Sequence, residues 1–291
     1  MALPPPTSCT GRVALYLPVA FVSSLIKSLF LIYITCHVVP LLQWTALPVV
    51  VDLDARRRGK FHGVVITGLA ALLLYCYGKA MSVHPGWIPD NQAWQVEAAP
   101  QQLEVKQTGE RRFCKWCSLY KPDRCHHCRV CRSCVLRMDH HCPWIANCVG
   151  FHNYKFFFLL TLYTVLCAHF IVWTMWSSAI AAVDQETPFA MMFALLFGQT
   201  IASFIAILGT LFLGFHCKLV TEGMTLIEFC EKATKHRENG LKYRNAYDLG
   251  TYRNICASLG PNPALWLVPV GLPKGDGLSF PVKPGARGLR V

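Results

Sequence analysis

Cys114, Cys117, His127 and Cys134 are followed, fourteen positions on, by Cys128, Cys131, His141 and Cys148 in the same spacing. Each set offers three sulfurs and one imidazole, the Cys₃His complement of a closed tetrahedral structural zinc site. The C-x-x-C pairs supply a chelating turn, and His and the last Cys close it. Cys128 precedes Cys134, so the two ligand sets interlock. Iron–sulfur ligation is the alternative, but mixed Cys₃His donors favour zinc. The segment is too short and polar to bury a core, so metal binding is expected to supply its folding energy.

Two metals use six cysteines and two histidines. Cys125, Cys142, His126, His140 and His152 are then left over in this segment. Cys142 stands out, because Asp139 and His140 lie within three positions of it. A free thiol has a pKa near ~8.5 and is mostly protonated at neutral pH. A neighbouring imidazole can take the proton, and an acid can hold that imidazole in one tautomer. On this reading Cys142 is the nucleophile, His140 the base and Asp139 its orienter. The competing reading makes Cys142 a spare zinc ligand and His140 a surface residue.

These residues need a platform, and the rest of the chain supplies apolar helices. Hydrophobic residues make up 53% of the sequence and charged residues only 15%, with mean hydropathy +0.34. Soluble domains carry charge on about a quarter of their residues. Four stretches approach the ~20 apolar residues that cross a bilayer: Val13–Val39, Val64–Val83, Phe156–Val183 and Phe189–Phe215. The first is interrupted by Ser23, Ser24, Lys27 and Ser28. Lys27 there either faces a cavity between helices or snorkels. Met1–Gly11 lacks the charged start and cleavage site of a signal peptide, so the first run reads as a retained anchor.

The expected fold is mainly α: a polytopic membrane protein with four transmembrane helices. A small two-zinc cysteine-rich cytosolic domain is expected between helices 2 and 3. Residues 1–84 hold helices 1 and 2, 85–155 the zinc domain, 156–215 helices 3 and 4, and 216–291 a cytosolic tail. From Lys274 the tail is rich in Gly and Pro and reads as flexible. Net charge is +12. Pro85–Lys155 holds ten Lys/Arg residues and the tail from His216 eleven, against four between helices 1 and 2. By the positive-inside tendency the zinc domain and tail face the cytosol. Six acids offset the ten bases of the zinc segment, and no dense basic helix is present, which argues against nucleic acid.

The run Asp139-His140-His141-Cys142-Pro143-Trp144, continuing to Asn153, resembles the signature of the DHHC-type protein S-acyltransferases, the palmitoyltransferases. The likeness extends upstream through Cys114-Lys115-Trp116-Cys117 and Lys121-Pro122-Asp123-Arg124. It implies two structural Zn²⁺ and a long-chain acyl-CoA co-substrate. Cys142 takes an acyl group, palmitoyl in the family's name, and passes it to membrane-proximal cysteines of other proteins. It further implies a Golgi, ER or plasma-membrane location, with the active site facing the cytosol. The acyl chain, worth about 0.8 kcal/mol per buried CH₂, is held at least cost between spans. By the same resemblance Trp144 lines the mouth of that cavity, and Lys121 and Arg124 are candidates for the CoA phosphates.

Thr225-Leu226-Ile227-Glu228 is similar to the family's T-T-x-E motif, and Asn254 to its tail Asn. Leu226 lacks the hydroxyl that could bond the catalytic Asp. His84-Pro85-Gly86 stands where the family has Asp-Pro-Gly, so the turn is kept without its carboxylate. Two other classes compete. One is a non-catalytic, membrane-tethered zinc module that binds other proteins. The other is a channel or transporter, disfavoured because, apart from Lys27 and His169, the spans carry few ionisable groups and show no internal repeat.

Overall fold

The computed structural model describes residues 9–43, 52–96, 102–106, 108–184, 186–233, 245–284 and 289–290. It is mainly helical, and four helices are long and apolar enough to cross a membrane. Helix α1 is Cys9–Ile32, running on through a π-helical stretch, Tyr33–Val38, to Leu42. Helices α2, α3 and α4 are Leu53–Ser82, Tyr154–Asp184 and Phe189–Thr221. A shorter helix, α5, is Thr251–Leu259.

Helix α2 starts eleven residues before the apolar run expected from Val64. Asp52 caps it, its Oδ1 accepting from the amides of Asp54 and Ala55 at 2.9 Å. Arg56, Arg57, Arg58 and Lys60 are good helix formers, so propensity and cap extend the helix past the greasy core. The basic run is therefore the first turns of a helix rather than a loop.

The described residues gather into two compact units. One comprises Val19–Cys76 and Leu159–Gly214, the apolar lengths of α1 to α4. Its core includes Tyr33, Ile66, Leu73, Leu159, Met175 and Leu195. Several buried polar groups there pair with one another, as burial favours. Tyr33 Oη lies 2.6 Å from Thr174 Oγ1, and His37 bridges Ser178 Oγ (2.8 Å) and His62 Nδ1 (3.0 Å). Lys27 is exposed rather than turned into this core.

The other unit carries the cysteine-rich segment and the tail. Three antiparallel hairpins follow one another. They are β2/β3 (Phe113–Cys114 with Leu119–Tyr120), β4/β5 (His126–Cys128 with Ser133–Val135) and β6/β7 (His140–Cys142 with Asn147–Val149). A short strand β1, Glu104–Val105, precedes them and pairs in parallel with Leu289–Arg290. The tail is packed where it is described. Phe280 meets Phe151 and Tyr247 at ring distances of 6.2 and 6.1 Å, and the Lys283 amide donates to Ala246 O at 2.9 Å. Sequence composition alone reads Lys274 onward as flexible, because a single anchoring Phe among glycines leaves no periodic pattern.

Candidate active site

The hairpins share one register. Cys114 faces Leu119, Cys128 faces Ser133, and Cys142 faces Asn147. The residue that turns each hairpin has positive φ: Ser118 (53°), Arg132 (53°) and Ala146 (48°). The fourteen-residue period thus runs three times in the backbone, though only twice in metal ligands. In the third hairpin Ile145 stands where Cys117 and Cys131 stand in the others.

Cys114, Cys117, His127 and Cys134 bring their donor atoms within 4.8 Å of one another, as do Cys128, Cys131, His141 and Cys148. Sulfur to His127 Nδ1 distances are 3.5, 3.3 and 3.9 Å, and Cys131 and Cys148 lie 3.4 and 3.6 Å from His141 Nδ1. A tetrahedron with metal–sulfur bonds of about 2.3 Å and metal–nitrogen bonds of about 2.0 Å places these donors roughly 3.5 Å apart. Both sets can hold a metal ion. The Cys131 amide also donates to Cys128 Sγ at 3.3 Å, stabilising a thiolate there.

Cys142 belongs to neither set. It is 6% exposed, and its hairpin is pinned to the C-terminal end of α2. Asn147 Nδ2 donates to the carbonyls of Ala80, Met81 and Val83 at 3.1–3.2 Å, and Asn153 Nδ2 to Ala80 at 3.3 Å. Those carbonyls lie at the helix end, where partners must come from outside the helix. Tyr77 Oη donates to Trp144 O at 2.9 Å, fixing the turn after Cys142. Trp144 itself is half exposed.

Asp139 is fully buried. Its Oδ2 lies 2.8 Å from His140 Nδ1. A carboxylate only accepts, so Nδ1 donates and Nε2 is the basic nitrogen. The other oxygen, Oδ1, accepts from the backbone amide of Leu226 at 3.0 Å. The brace that the missing hydroxyl at 226 withholds is thus supplied by the main chain, indifferent to the side chain. Burial disfavours the His140 imidazolium, but hydrogen bonds and charge from Asp139 and Cys142 outweigh it and hold the group up at about 9. Phe157 packs edge-on to the His140 ring at 4.9 Å. Buried His216, near the end of α4, lies 6.3 Å away, ring centre to ring centre. Nothing in the local pattern around His216 signals that approach.

Thr225 caps the short turn Leu226–Glu228. Its Oγ1 accepts from the Glu228 amide, and Glu228 Oε2 accepts from the Thr225 amide at 2.9 Å. The same carboxylate receives Arg124 in a two-pronged pair, Nε and Nη2 each at 2.7 Å. Arg124 is 4% exposed and lies over Tyr247 at 4.5 Å. Its guanidinium is therefore committed to Glu228 and the Gly223 carbonyl, not offered to an outer phosphate. Lys121 is half-buried. Asn254 closes the tail, its Nδ2 donating to Thr221 O and Asp248 Oδ1 at 2.8 Å. Gly223 (φ 66°) must lack a Cβ there, because one would sit 2.9 Å from Asn254 Oδ1.

His84 stays engaged with the Pro85-Gly86 turn. Its Nδ1 accepts from the Gly86 amide at 3.0 Å, which side-chain type alone does not announce.

Residues 107–233 match the family described as DHHC palmitoyltransferase. Palmitoyltransferase ZDHHC15 of Mus musculus is 43% identical over 178 residues, 60% of this chain and 52% of the mouse protein. Palmitoyltransferase ZDHHC2 of the same organism is 41% identical over 182 residues, 60% of this chain and 47% of that protein. Probable protein S-acyltransferase 15 of Arabidopsis thaliana is 37% identical over 228 residues, 76% of this chain and 89% of the plant protein. The chain spans about half the length of the mouse relatives and most of the plant one.

Proposed function

The chain belongs to the DHHC palmitoyltransferase family, and from that premise we propose that it is a protein S-acyltransferase using Cys142 as its acyl carrier. The observation that carries the reading is the position of Cys142. It lies outside both metal-ligand sets, beside a histidine whose tautomer a buried aspartate fixes.

In the first half-reaction the Cys142 proton passes to His140 Nε2, and the sulfur attacks the thioester carbonyl of a long-chain acyl-CoA. The bond from the acyl carbon to the CoA sulfur breaks, and the departing thiolate recovers the proton from His140. In the second, a protein cysteine gives its proton to the same imidazole and attacks the Cys142 thioester; the bond from the acyl carbon to the Cys142 sulfur breaks, and the released Cys142 thiolate takes the proton back from His140. One thioester is made and one broken each time, so no ATP is needed. Asp139 stabilises the imidazolium that both steps require, and the Leu226 amide fixes Asp139.

Two zinc ions, bound by the sets around His127 and His141, fix the hairpins and take no part in bond changes. Lys121 is the candidate for the CoA phosphates. Trp144, half exposed beside the nucleophile, is a candidate for the acyl chain. Thr225, Glu228, Arg124 and Asn254 hold the tail to the zinc segment. The substrates are membrane-associated proteins with cysteines near the bilayer, and the site faces the cytosol from a Golgi, ER or plasma membrane.

Purified protein incubated with a clickable palmitoyl-CoA tests this. Hydroxylamine-sensitive label is expected on the wild type and none on Cys142→Ser. Equal label on both overturns the assignment.

A further inference from the structure

Among the described residues two arginines are buried, Arg124 and Arg137, 4% and 5% exposed. Both leave the chain from left-handed backbone, φ 61° and 43°, which non-glycine residues seldom hold. A cavity of about 20 Å³ is lined by both of them and by Tyr247, Asn254, Ala257 and Phe280 from the tail.

The two side chains differ in how their charge is met. Arg124 gives Nε and Nη2 to Glu228 and the Gly223 carbonyl, and its Nη1 has no hydrogen bond among the described residues. Arg137 meets only neutral acceptors, the Ala257 carbonyl at 3.3 Å and Ser258 Oγ at 2.7 Å. It forms no ion pair among the described residues. The acids that act on it through space are already engaged, Glu228 with Arg124 and Asp139 with His140. Burial, with the charge of Arg124, pushes Arg137 down to about 10, so it stays charged at neutral pH. Aromatic faces cover what remains: Tyr247 and Phe280 lie 4.5 and 5.2 Å from the Arg124 guanidinium, and Tyr154 lies 5.4 Å from that of Arg137. The buried Tyr247 hydroxyl has no hydrogen-bond partner among the described residues.

The groups left over around this cavity can all donate. Arginine offers five N–H groups and accepts nothing. Two positive charges share one carboxylate, and a buried charge without its counter-charge is costly. Such a site calls for an acceptor that is small and negative. A single water needs roughly 10–15 Å³, so the cavity suits one particle of that order and is too small for phosphate or sulfate.

We propose that this cavity binds a single monatomic anion, chloride in the cell, held by Arg124 and Arg137 and joining the tail to the zinc segment. The ion supplies the charge that Arg137 otherwise lacks, two positions before Asp139. The proposal is independent of the acyl-transfer reading.

The test melts full-length protein in detergent micelles containing sodium chloride, sodium bromide or sodium gluconate at equal ionic strength. Either halide should raise the midpoint over gluconate by roughly 2–4 °C, and the rise should saturate with halide concentration. Arg137→Gln removes the unmatched charge, so its midpoint should be the same in all three salts. A wild-type midpoint equal in halide and gluconate overturns the proposal and leaves water as the occupant. So does a rise that grows without saturating or that persists in Arg137→Gln, which would be a general effect of salt. Should Arg137→Gln fail to fold, wild-type crystals grown in bromide decide the matter. An anomalous peak between Arg124 and Arg137 is the expected result, and its absence there overturns the site.

Discussion

The second and third hairpins of the zinc segment share length, register and turn geometry, yet Cys128 in one belongs to a metal-ligand set and Cys142 at the same place in the other does not. Cys128 and Cys142 occupy the same place, each paired across its strand with the residue five positions on. Cys128 has Cys131 as its chelating partner, and Cys142 has Ile145 at that position, which offers no ligand. The histidines diverge in the same way. His126 and His140 sit at equivalent strand positions. Burial, helped by the positive charge of Arg112, pushes His126 down to about 4, while Asp139 and Cys142 hold His140 up at about 9. Where the second hairpin has Cys125, the third has Asp139. Two substitutions within one repeated scaffold thus leave Cys142 outside both ligand sets and give His140 a carboxylate partner.

That contrast can be broken at several points. Replacing His141 by Ala should release one metal and abolish acylation, because the strand carrying Cys142 loses its clamp. Elemental analysis should fall from about two zincs per chain to about one. If His141→Ala kept both metals, the ligand set would be wrong. His140→Ala should slow acyl-enzyme formation by about 10²–10⁴ with metal content unchanged. The matching change His126→Ala should leave the rate within about threefold, roughly 0.6 kcal/mol. Similar losses at both positions would mean that the hairpins are not functionally distinct.

The pH profile sharpens the contrast further. Single-turnover acylation should fall as pH rises through about 9, where His140 loses the proton that the departing thiolate needs. Asp139→Asn removes a contact that raises this pKa, so the alkaline fall should move to lower pH. An unmoved limb would show that Asp139 does not govern His140.

A further test lies at Leu226. Proline there removes the amide that braces Asp139 but suits the first position of the turn after Thr225, whose backbone is already extended (φ −92°, ψ 163°). A hydrogen bond to a charged acceptor is worth about 1.5–3 kcal/mol, so Leu226→Pro should slow acylation by about 10- to 150-fold if the whole bond is lost. Leu226→Ala should change little. Equal effects of the two would place the brace in the side chain.

The parts legible in the sequence are those whose partners are close along the chain. Both ligand sets span twenty-one residues each, and the Asp139–His140–Cys142 cluster spans four, so spacing alone announces them. Four apolar runs likewise announce four helices, although hydropathy misses the polar start of α2, where Asp52 and a run of helix formers decide the boundary. What stays hidden is long-range or made by the main chain. Arg124 and Glu228 are 104 positions apart, and pairing diverts Arg124 from the surface role its charge suggests. The Leu226 amide acts whatever side chain stands there, and the His84 ring accepts from the Gly86 amide by a geometry that residue type does not announce. Lys155 reads as an ordinary basic residue near a span until three carbonyls from the tail converge on it.

The central claim is that Cys142, which belongs to neither metal-ligand set, carries the acyl group. It is tested by measuring thioester label and zinc content on one preparation of Cys142→Ser. The expected result is no hydroxylamine-sensitive label with about two zincs retained per chain, since both four-ligand sets stay complete. A variant that loses a zinc, or that labels like the wild type, would contradict it.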